Sequence, residues 1–510
     1  MSALALPRGD WLLIAGAAVL LTVAYPPFHL FFPSFVCLIP VIWLIQRGAS
    51  DPRPLRRHLV QGYWYGFFSS GLVLYWMVFA LWRLTRLSLL GYLATIVVLA
   101  AYASVMFALT GWIQRRSRVS PIIVFPVLWT SVEWLVGHQG DIHFPWLGLG
   151  TSLTGFPTAI QVAEVIGARG VTLLLAAANT ALAFAWLERR NARRVTVLLG
   201  TVAAGLSAAL GYGLVREATV DMRPLGNVTV LQPNVQYDKK RDRTLHDSIV
   251  RSTIELSAIA AERTSPQLLV WPESALPDYL FRHEEWERLI AAHVAQSGVP
   301  IVTGGLDVVW LEREDEYDYY NSAFLFDATR DGGRRPVYHK RYLVPLVERV
   351  PFVNPRWFDL RWFGGFSRGE VGQLYEVEFG QFGIMICYES AFEDLSRDYR
   401  RRGADFLVNI TNDDWYGQTT APFQHAAHLV LRAIENRTSI VRAANSGISE
   451  FVDPLGRESK RTRLGEQTFA ADMVLASDVL TIYTRYGDWV GLLVLCFAAT
   501  LIGYSWWQKR

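Results

Sequence analysis

The sequence predicts a multi-span α-helical membrane domain joined to an α/β extracytoplasmic domain, and three observations carry that prediction. Hydrophobic residues make up 51% of the 510-residue chain and are gathered into long tracts instead of being scattered as core positions. Arginine collects in alternate loops between those tracts. Between residues 220 and 480 the composition turns soluble, and short apolar runs alternate with amphipathic stretches.

The apolar tracts fall at 11–25, 31–45, 58–82, 88–113, 121–137, 158–187, 195–215 and 489–507. Several reach the ~20 residues that span a bilayer core, so about eight spans are expected, give or take one. The first two and the fifth are short, and Pro26, Pro27 and Pro33 leave a tilted or half-buried hairpin open at the start. No small-residue cleavage site follows the first tract, which therefore reads as a retained span. Lys and Arg in short loops stay on the cytoplasmic side. Arg47, Arg53, Arg56 and Arg57, then Arg115, Arg116 and Arg118, then Arg189, Arg190, Arg193 and Arg194, and finally Lys509 and Arg510, fall as one topology demands. Both termini are then cytoplasmic and the long segment before the last tract is outside; Arg83 and Arg86 alone dissent. The expected organisation is a membrane domain over 1–219 with about seven spans, an extracytoplasmic α/β domain over 220–480, and a final span with a cytoplasmic end over 481–510. A net charge of +3 is too mild to point to nucleic acid.

Within the outer segment, runs at 228–231, 268–271, 301–303, 323–326, 383–387 and 406–410 read as buried strands, and 244–263, 284–296, 391–402 and 422–436 as amphipathic helices. Their alternation indicates an α/β domain without choosing among α/β folds. No internal repeat is apparent.

Three cysteines, Cys37, Cys387 and Cys496, offer neither a disulfide framework nor metal-ligand spacing, and the first and last lie in apolar tracts where a thiol serves as a small hydrophobe. Cys387 ends an apolar strand and is followed by the polar pair Tyr388-Glu389. Alone it also reads as a buried structural thiol, but an unpaired thiol outside the cytoplasm is exposed to oxidation. A nucleophilic thiol needs a base and a donor for the oxyanion formed when it attacks a carbonyl. Two segments are dense enough to supply them. Trp271-Pro-Glu-Ser-Ala-Leu-Pro277 sets Glu273 directly after a strand, where it reads either as a base or as a helix N-terminal charge. Tyr338-His-Lys-Arg-Tyr-Leu-Val-Pro345, followed by Glu348, offers Lys340, which by itself also reads as a surface lysine.

Together these segments resemble the nitrilase superfamily, whose Glu, Lys and Cys follow one another in this order, and more closely its membrane-bound branch, the apolipoprotein N-acyltransferases. Asn412-Asp-Asp-Trp-Tyr-Gly417 resembles the loop that follows the nucleophile, and Phe144-Pro-Trp-Leu-Gly-Leu-Gly150, residues 161–170 and Tyr483-Thr-Arg-Tyr-Gly-Asp488 extend the likeness over nearly the whole chain. Two departures stand out. Leu346-Val347 replaces the family's Phe-Gly before Glu348, and Tyr237 lies only near the family's aromatic position by Lys239, out of clear register.

The resemblance implies a nitrilase-like α-β-β-α sandwich and a reaction in which an acyl chain moves from a membrane phospholipid to the α-amino group of a diacylglyceryl apolipoprotein. It implies Glu273 as base, Cys387 as nucleophile, and Lys340 with a backbone N–H near Cys387 or Tyr388 as oxyanion donors. Glu348 and Glu389 are expected to orient Lys340 or assist proton movement, or else to serve as ion-pair partners. Tyr388 is expected to wall the pocket, and Trp415 and Tyr416 to touch an acyl chain or pack in the core. No metal or cofactor is expected; the partners are the phospholipid donor, the apolipoprotein acceptor and the bilayer, with the enzyme a monomer in a bacterial inner membrane. The same three residues with water as second nucleophile would make a membrane-tethered amide or nitrile hydrolase, and loss of catalysis would leave a lipoprotein-binding scaffold. Glu133, ionisable in the fifth tract, is a further functional candidate or a carboxylate at the outer interface.

Overall fold

The computed structural model describes residues 6–82, 88–311, 316–328, 337–345, 347–352 and 365–508. Arg83, Arg86, Leu346, Lys509 and Arg510 lie outside the described residues. The chain divides into two compact units, one formed by Met1–Thr219 with Tyr486–Arg510 and the other by Val220–Arg485.

The first unit is helical. Among the described residues, five helical segments are long and apolar enough to cross a membrane: Phe31–Ala49, Leu89–Arg116, Ala163–Leu187, Ala192–Thr219 and Trp489–Trp507. Arg8–Ala24 and Pro121–Gly137 have 17 residues each, and Pro54–Val73 begins with a run of charge. Several predicted tracts are broken helices. The tract at 31–45 splits into Phe31–Val36 and Ile39–Ala49, and Asn179 satisfies the break, its side chain accepting from Leu38 N at 2.9 Å and donating to Ser34 O at 2.9 Å. The tract at 158–187 breaks at Gly167, whose φ of 66° only glycine adopts without strain. Cys37 is buried, as read from the sequence, but Cys496 is exposed on its helix beside exposed Leu492, Leu493 and Phe497. That helix turns an apolar face outward, so apolar sequence there does not mean burial within the chain.

Glu133 is a tie in this unit. Its Oε1 accepts from Arg169 Nη1 at 2.8 Å and Thr172 Oγ1 at 2.9 Å, and its Oε2 accepts from Leu149 N at 2.9 Å. The carboxylate therefore joins the helix Pro121–Gly137 to Ala163–Leu187 and fixes the segment 144–150 between them.

In the second unit, the ten-residue strand β1 (Arg223–Gln232) pairs in parallel with β2 (Leu268–Val270), and β2 with β3 (Ile301–Leu311). β4 (Glu316–Phe326), β5 (Tyr338–His339) and a late strand complete a six-stranded sheet. The second sheet runs from β6 (Tyr375–Val377) through β7 (Gly380–Ile386), β8 (Phe406–Thr411), β9 (Ser439–Ala444) and β10 (Glu450–Val452) to β11 (Glu458–Ser459). The late strand of the first sheet is β12 (Thr468–Ala476), antiparallel to β1. The sheets face each other through β1 and β12 against β8 and β9, with His246–Thr264 and Glu284–Ser297 on one outer face and Glu393–Arg401 and Ala421–Asn436 on the other. This is the expected α-β-β-α sandwich, and the four predicted helices fall within two residues of their predicted ends.

Strands β5, β6 and β9 to β12 are not legible in the sequence. β9 is fully buried but carries Arg442 in its middle, which breaks the apolar run that marks a buried strand.

Removing one partner of a buried ion pair costs about 3–5 kcal/mol. We expect Glu133→Gln to lower the thermal midpoint of the purified protein clearly, and Glu133→Gln with Arg169→Met to recover part of that loss; additive losses would mean that the pair is not coupled.

Candidate active site

Each of the three chemical residues sits just beyond a strand end, and the sheets bring those ends together. After β2, Trp271 N continues the ladder by donating to Val302 O at 2.7 Å, and the chain then turns through Pro272, Glu273 and Ser274. The turn lies against β3 at Gly304, where an added Cβ would stand 2.6 Å from Glu273 Cα. Glycine is required there by close approach. Lys340 follows β5, its N donating to Asn321 O at 2.9 Å on β4. Cys387 follows β7 and has φ 52°, a left-handed conformation that costs a side-chain-bearing residue about 1–2 kcal/mol.

Lys340 is the hub. Its Nζ lies 2.9 Å from Glu348 Oε1 and 3.7 Å from Glu273 Oε1, and its side chain is 1% exposed. Asn321 Nδ2 donates to Glu273 Oε1 at 2.7 Å and to Glu348 Oε1 at 2.9 Å, so one amide spaces the two carboxylates. The remaining Glu273 oxygen accepts from Asn412 N at 2.8 Å, and that of Glu348 from Val344 N at 2.8 Å. Both carboxylates are thereby held on both oxygens. Burial opposes the Lys340 charge, but its acidic neighbours, Glu348 first, outweigh it and hold the ammonium above its ordinary range.

The Cys387 thiol goes the other way. Burial, then the charge of Glu273, pushes it well above the usual thiol range, against the pull of Lys340. The thiol is thereby held in its protonated form, and such a thiol can act as a nucleophile only with a general base to take its proton.

Glu389 is fully buried and accepts from Tyr338 OH at 2.8 Å, Ile386 N at 2.7 Å, Arg341 N at 2.6 Å and Tyr342 N at 3.1 Å. Burial raises its carboxyl to about 6 in spite of those amides. It stitches the end of β7 to the backbone beside Lys340. Tyr388 is buried next to Cys387, its ring edge-on to Phe392 at 5.0 Å. Burial first, and then the acidic groups around it, raise the Tyr416 hydroxyl well above its ordinary value, with Cys387, Asp413 and Glu273 within electrostatic reach. Trp415 instead pairs with Tyr237 at 4.6 Å, and Tyr237 N donates to Asp414 Oδ2 at 2.8 Å. The out-of-register aromatic is thus joined to the motif 412–417.

Several residues beside the site carry no signal in the sequence. Asn321 is one polar residue among many on β4, and only its position opposite two carboxylates gives it meaning. Lys240 donates to Ser274 O at 2.8 Å, and burial lowers its ammonium to about 8 despite Glu273 and Asp414. Its signal is lost among the neighbouring charges of 238–243. Asp413 lies within the 412–417 motif, but its partners His425 and Arg442 do not. Among the described residues no group of His, Cys, Asp and Glu is arranged to hold a metal ion.

The two facing sheets and a Cys–Lys–carboxylate cluster at their strand ends define a nitrilase-type cysteine enzyme, and residues 227–477 match the family described as Carbon-nitrogen hydrolase. Residues 17–181 match the Apolipoprotein N-acyltransferase N-terminal domain. An apolipoprotein N-acyltransferase of Geobacter metallireducens is 30% identical over 519 residues, covering 99% of this chain and 97% of that one. Another from Bradyrhizobium diazoefficiens is 31% identical over 513 residues, covering 95% and 93%. Among solved structures, a mutant of a Nesterenkonia amidase from the nitrilase superfamily aligns with 52% of this chain and 95% of its own at 18% identity and a TM-score of 0.38. The chain belongs to the apolipoprotein N-acyltransferase family.

With the thiol held protonated, alkylation of Cys387 by iodoacetamide, followed by intact mass, is expected to keep rising through about pH 9, beyond the ordinary thiol pKa of about 8.5. A plateau near neutral pH would show a preformed thiolate. Lys340→Met removes the charge that favours the thiolate, so the rise should move to still higher pH.

Proposed function

We propose that this protein transfers an acyl chain from a membrane phospholipid to the α-amino group of the N-terminal S-diacylglyceryl cysteine of apolipoproteins, through a thioester on Cys387. The observation that carries the reading is Lys340 held between Glu273 and Glu348 beside a left-handed cysteine, in a chain of this family.

In the first half-reaction the Cys387 sulfur attacks the ester carbonyl as Glu273 takes the thiol proton. Lys340, with a backbone amide of the 387–388 turn, balances the charge that develops on the carbonyl oxygen. The oxyanion collapses, the C–O bond to the glycerol breaks, and the proton on Glu273 passes to the leaving alkoxide. Lysophospholipid departs and a thioester remains. In the second half-reaction the α-amine, partly neutral at its ordinary pKa of about 7.7–8.0, attacks the thioester; Glu273 accepts its proton and returns it to the departing thiolate. The product is an amide and the free thiol. Cysteine suits this better than serine because a thioester reacts with an amine more readily than an oxygen ester does. Two sequential transfers on one nucleophile give ping-pong kinetics.

Glu348 would keep Lys340 charged and aimed, and Glu389 would fix the backbone on which Lys340 and Cys387 stand. Tyr388 and Tyr416 would wall the acyl pocket, and Trp415 with Tyr237 would form its outer lip. Acyl chains that stay in a bilayer avoid about 0.8 kcal/mol per CH₂ of transfer to water, which is the reason for a membrane domain. The proposed topology is about eight spans, with both termini cytoplasmic and the catalytic unit outside the inner membrane, in a monomeric enzyme.

Incubation of the purified protein with phospholipid should give an acyl adduct by intact-mass spectrometry, absent from Cys387→Ala, which a diacylated lipopeptide removes while becoming triacylated. No adduct together with water-dependent amide cleavage would overturn this reading in favour of the hydrolase. Lys340→Met should slow adduct formation by about 10²–10³-fold, the loss typical of one oxyanion donor.

A further inference from the structure

Behind the nucleophile lies a buried polar chain to which the mechanism above gives no work. His425, on the helix Ala421–Asn436, places Nε2 2.9 Å from the carbonyl oxygen of Cys387 and Nδ1 2.9 Å from Asp413 Oδ1. Arg442 on β9 donates from Nη2 to Asp413 Oδ2 at 2.9 Å, and its Nη2 also lies 3.1 Å from His425 Nδ1. The same guanidinium is anchored through Nε to Ile448 O at 3.0 Å and through Nη1 to Asn409 Oδ1. Thr411 Oγ1 donates to Asp413 Oδ1 at 3.0 Å. An added Cβ on Gly447 would stand 2.2 Å from Asp413 Oδ2, so glycine there leaves the carboxylate its place. His425 and Arg442 are 0% exposed and Asp413 is 1% exposed.

A carbonyl oxygen only accepts, so His425 Nε2 carries a proton whether the ring is neutral or charged. Nδ1 meets either state, donating to Asp413 or accepting from Arg442. Burial works against the Asp413 charge, but Arg442 and His425 outweigh it and hold the carboxyl at about 2. The donor to Cys387 is thus fixed in position by a carboxylate that is itself held by Arg442. Its acceptor matters chemically. The Cys387 carbonyl and the Tyr388 N–H are two ends of one peptide, and pulling electron density onto the oxygen makes that N–H a stronger donor.

We propose that His425, clamped by Asp413 and Arg442, is a positioning residue that holds and polarises the Cys387–Tyr388 peptide, so that this peptide stabilises the oxyanion formed on acylation of Cys387. The inference rests on the acyl-enzyme reading above. It separates His425 from the base: Glu273 moves the proton, whereas His425 moves none.

The test uses the full-length purified enzyme in detergent and p-nitrophenyl butyrate, reading the burst of p-nitrophenol on acylation. His425→Gln and His425→Asn are both polar, but glutamine carries its amide to the place of Nε2 and asparagine only to that of Nδ1. We expect His425→Asn to slow the burst by about 10–100-fold with KM within about twofold, and His425→Gln to recover most of the rate. Asp413→Asn, which keeps the shape but removes the clamping charge, should fall between them. Equal losses in Asn and Gln variants, an unchanged burst in His425→Asn, or a rise in KM without loss of burst rate would each overturn the proposal. A wild-type burst without acyl transfer from phospholipid would overturn the phospholipid reading alone, since the role of His425 would still be read from the variants. A wild-type enzyme without a burst would overturn both.

Discussion

A single buried ammonium organises the site. Lys340 lies between two carboxyl groups and Asn321 donates to both, so Glu273, Lys340, Glu348 and Asn321 form one connected cluster. Such a cluster is costly to desolvate, and the buried ammonium at its centre is offset only by partners placed within reach. Burial first, and then Glu273, hold the Cys387 thiol in its protonated form against the pull of Lys340.

The rest of the catalytic unit keeps this cluster in register. Glu273 comes from one sheet and Cys387 from the other, and no local sequence interaction can bring them together. The sandwich does so by facing the sheets, while Glu389 ties the nucleophile's turn to the backbone of the lysine segment through four donors. The Cys387 carbonyl is held in turn by His425 from the helix behind it. Constraints from several elements are how a cysteine is kept in a left-handed conformation at the end of a strand.

In the helical unit the same physics operates with fewer polar groups. The break between Phe31–Val36 and Ile39–Ala49 is satisfied by Asn179, and the segment 144–150 is held by Glu133. Both residues lie within apolar tracts where an unpaired polar group would be expensive. The sequence leaves Glu133 between a functional and an interfacial role; the structure shows it tied to Arg169, Thr172 and the Leu149 amide.

The sequence by itself determined the division into an apolar helical part and an α/β part, because hydrophobic period and composition are local properties. It also placed Glu273, Lys340 and Cys387 in motifs: Glu273 and Cys387 follow apolar strand runs, with Pro272 beside the first, while Lys340 is marked by the segment 338–345 alone. Short edge strands such as β5, β6 and β11 could not be read, since two or three residues carry no period, and β9 was hidden by its buried arginine. Nor did the chain announce Asn321, Lys240, His425 or Arg442, which are ordinary polar residues until folding sets them beside a charge. Only the tertiary structure decided that Glu348 grips Lys340, that Glu389 serves the backbone, and that Trp415 pairs with Tyr237. The reason is common to all of them: electrostatic roles depend on distances across the sandwich, and the order of residues in the chain does not contain those distances.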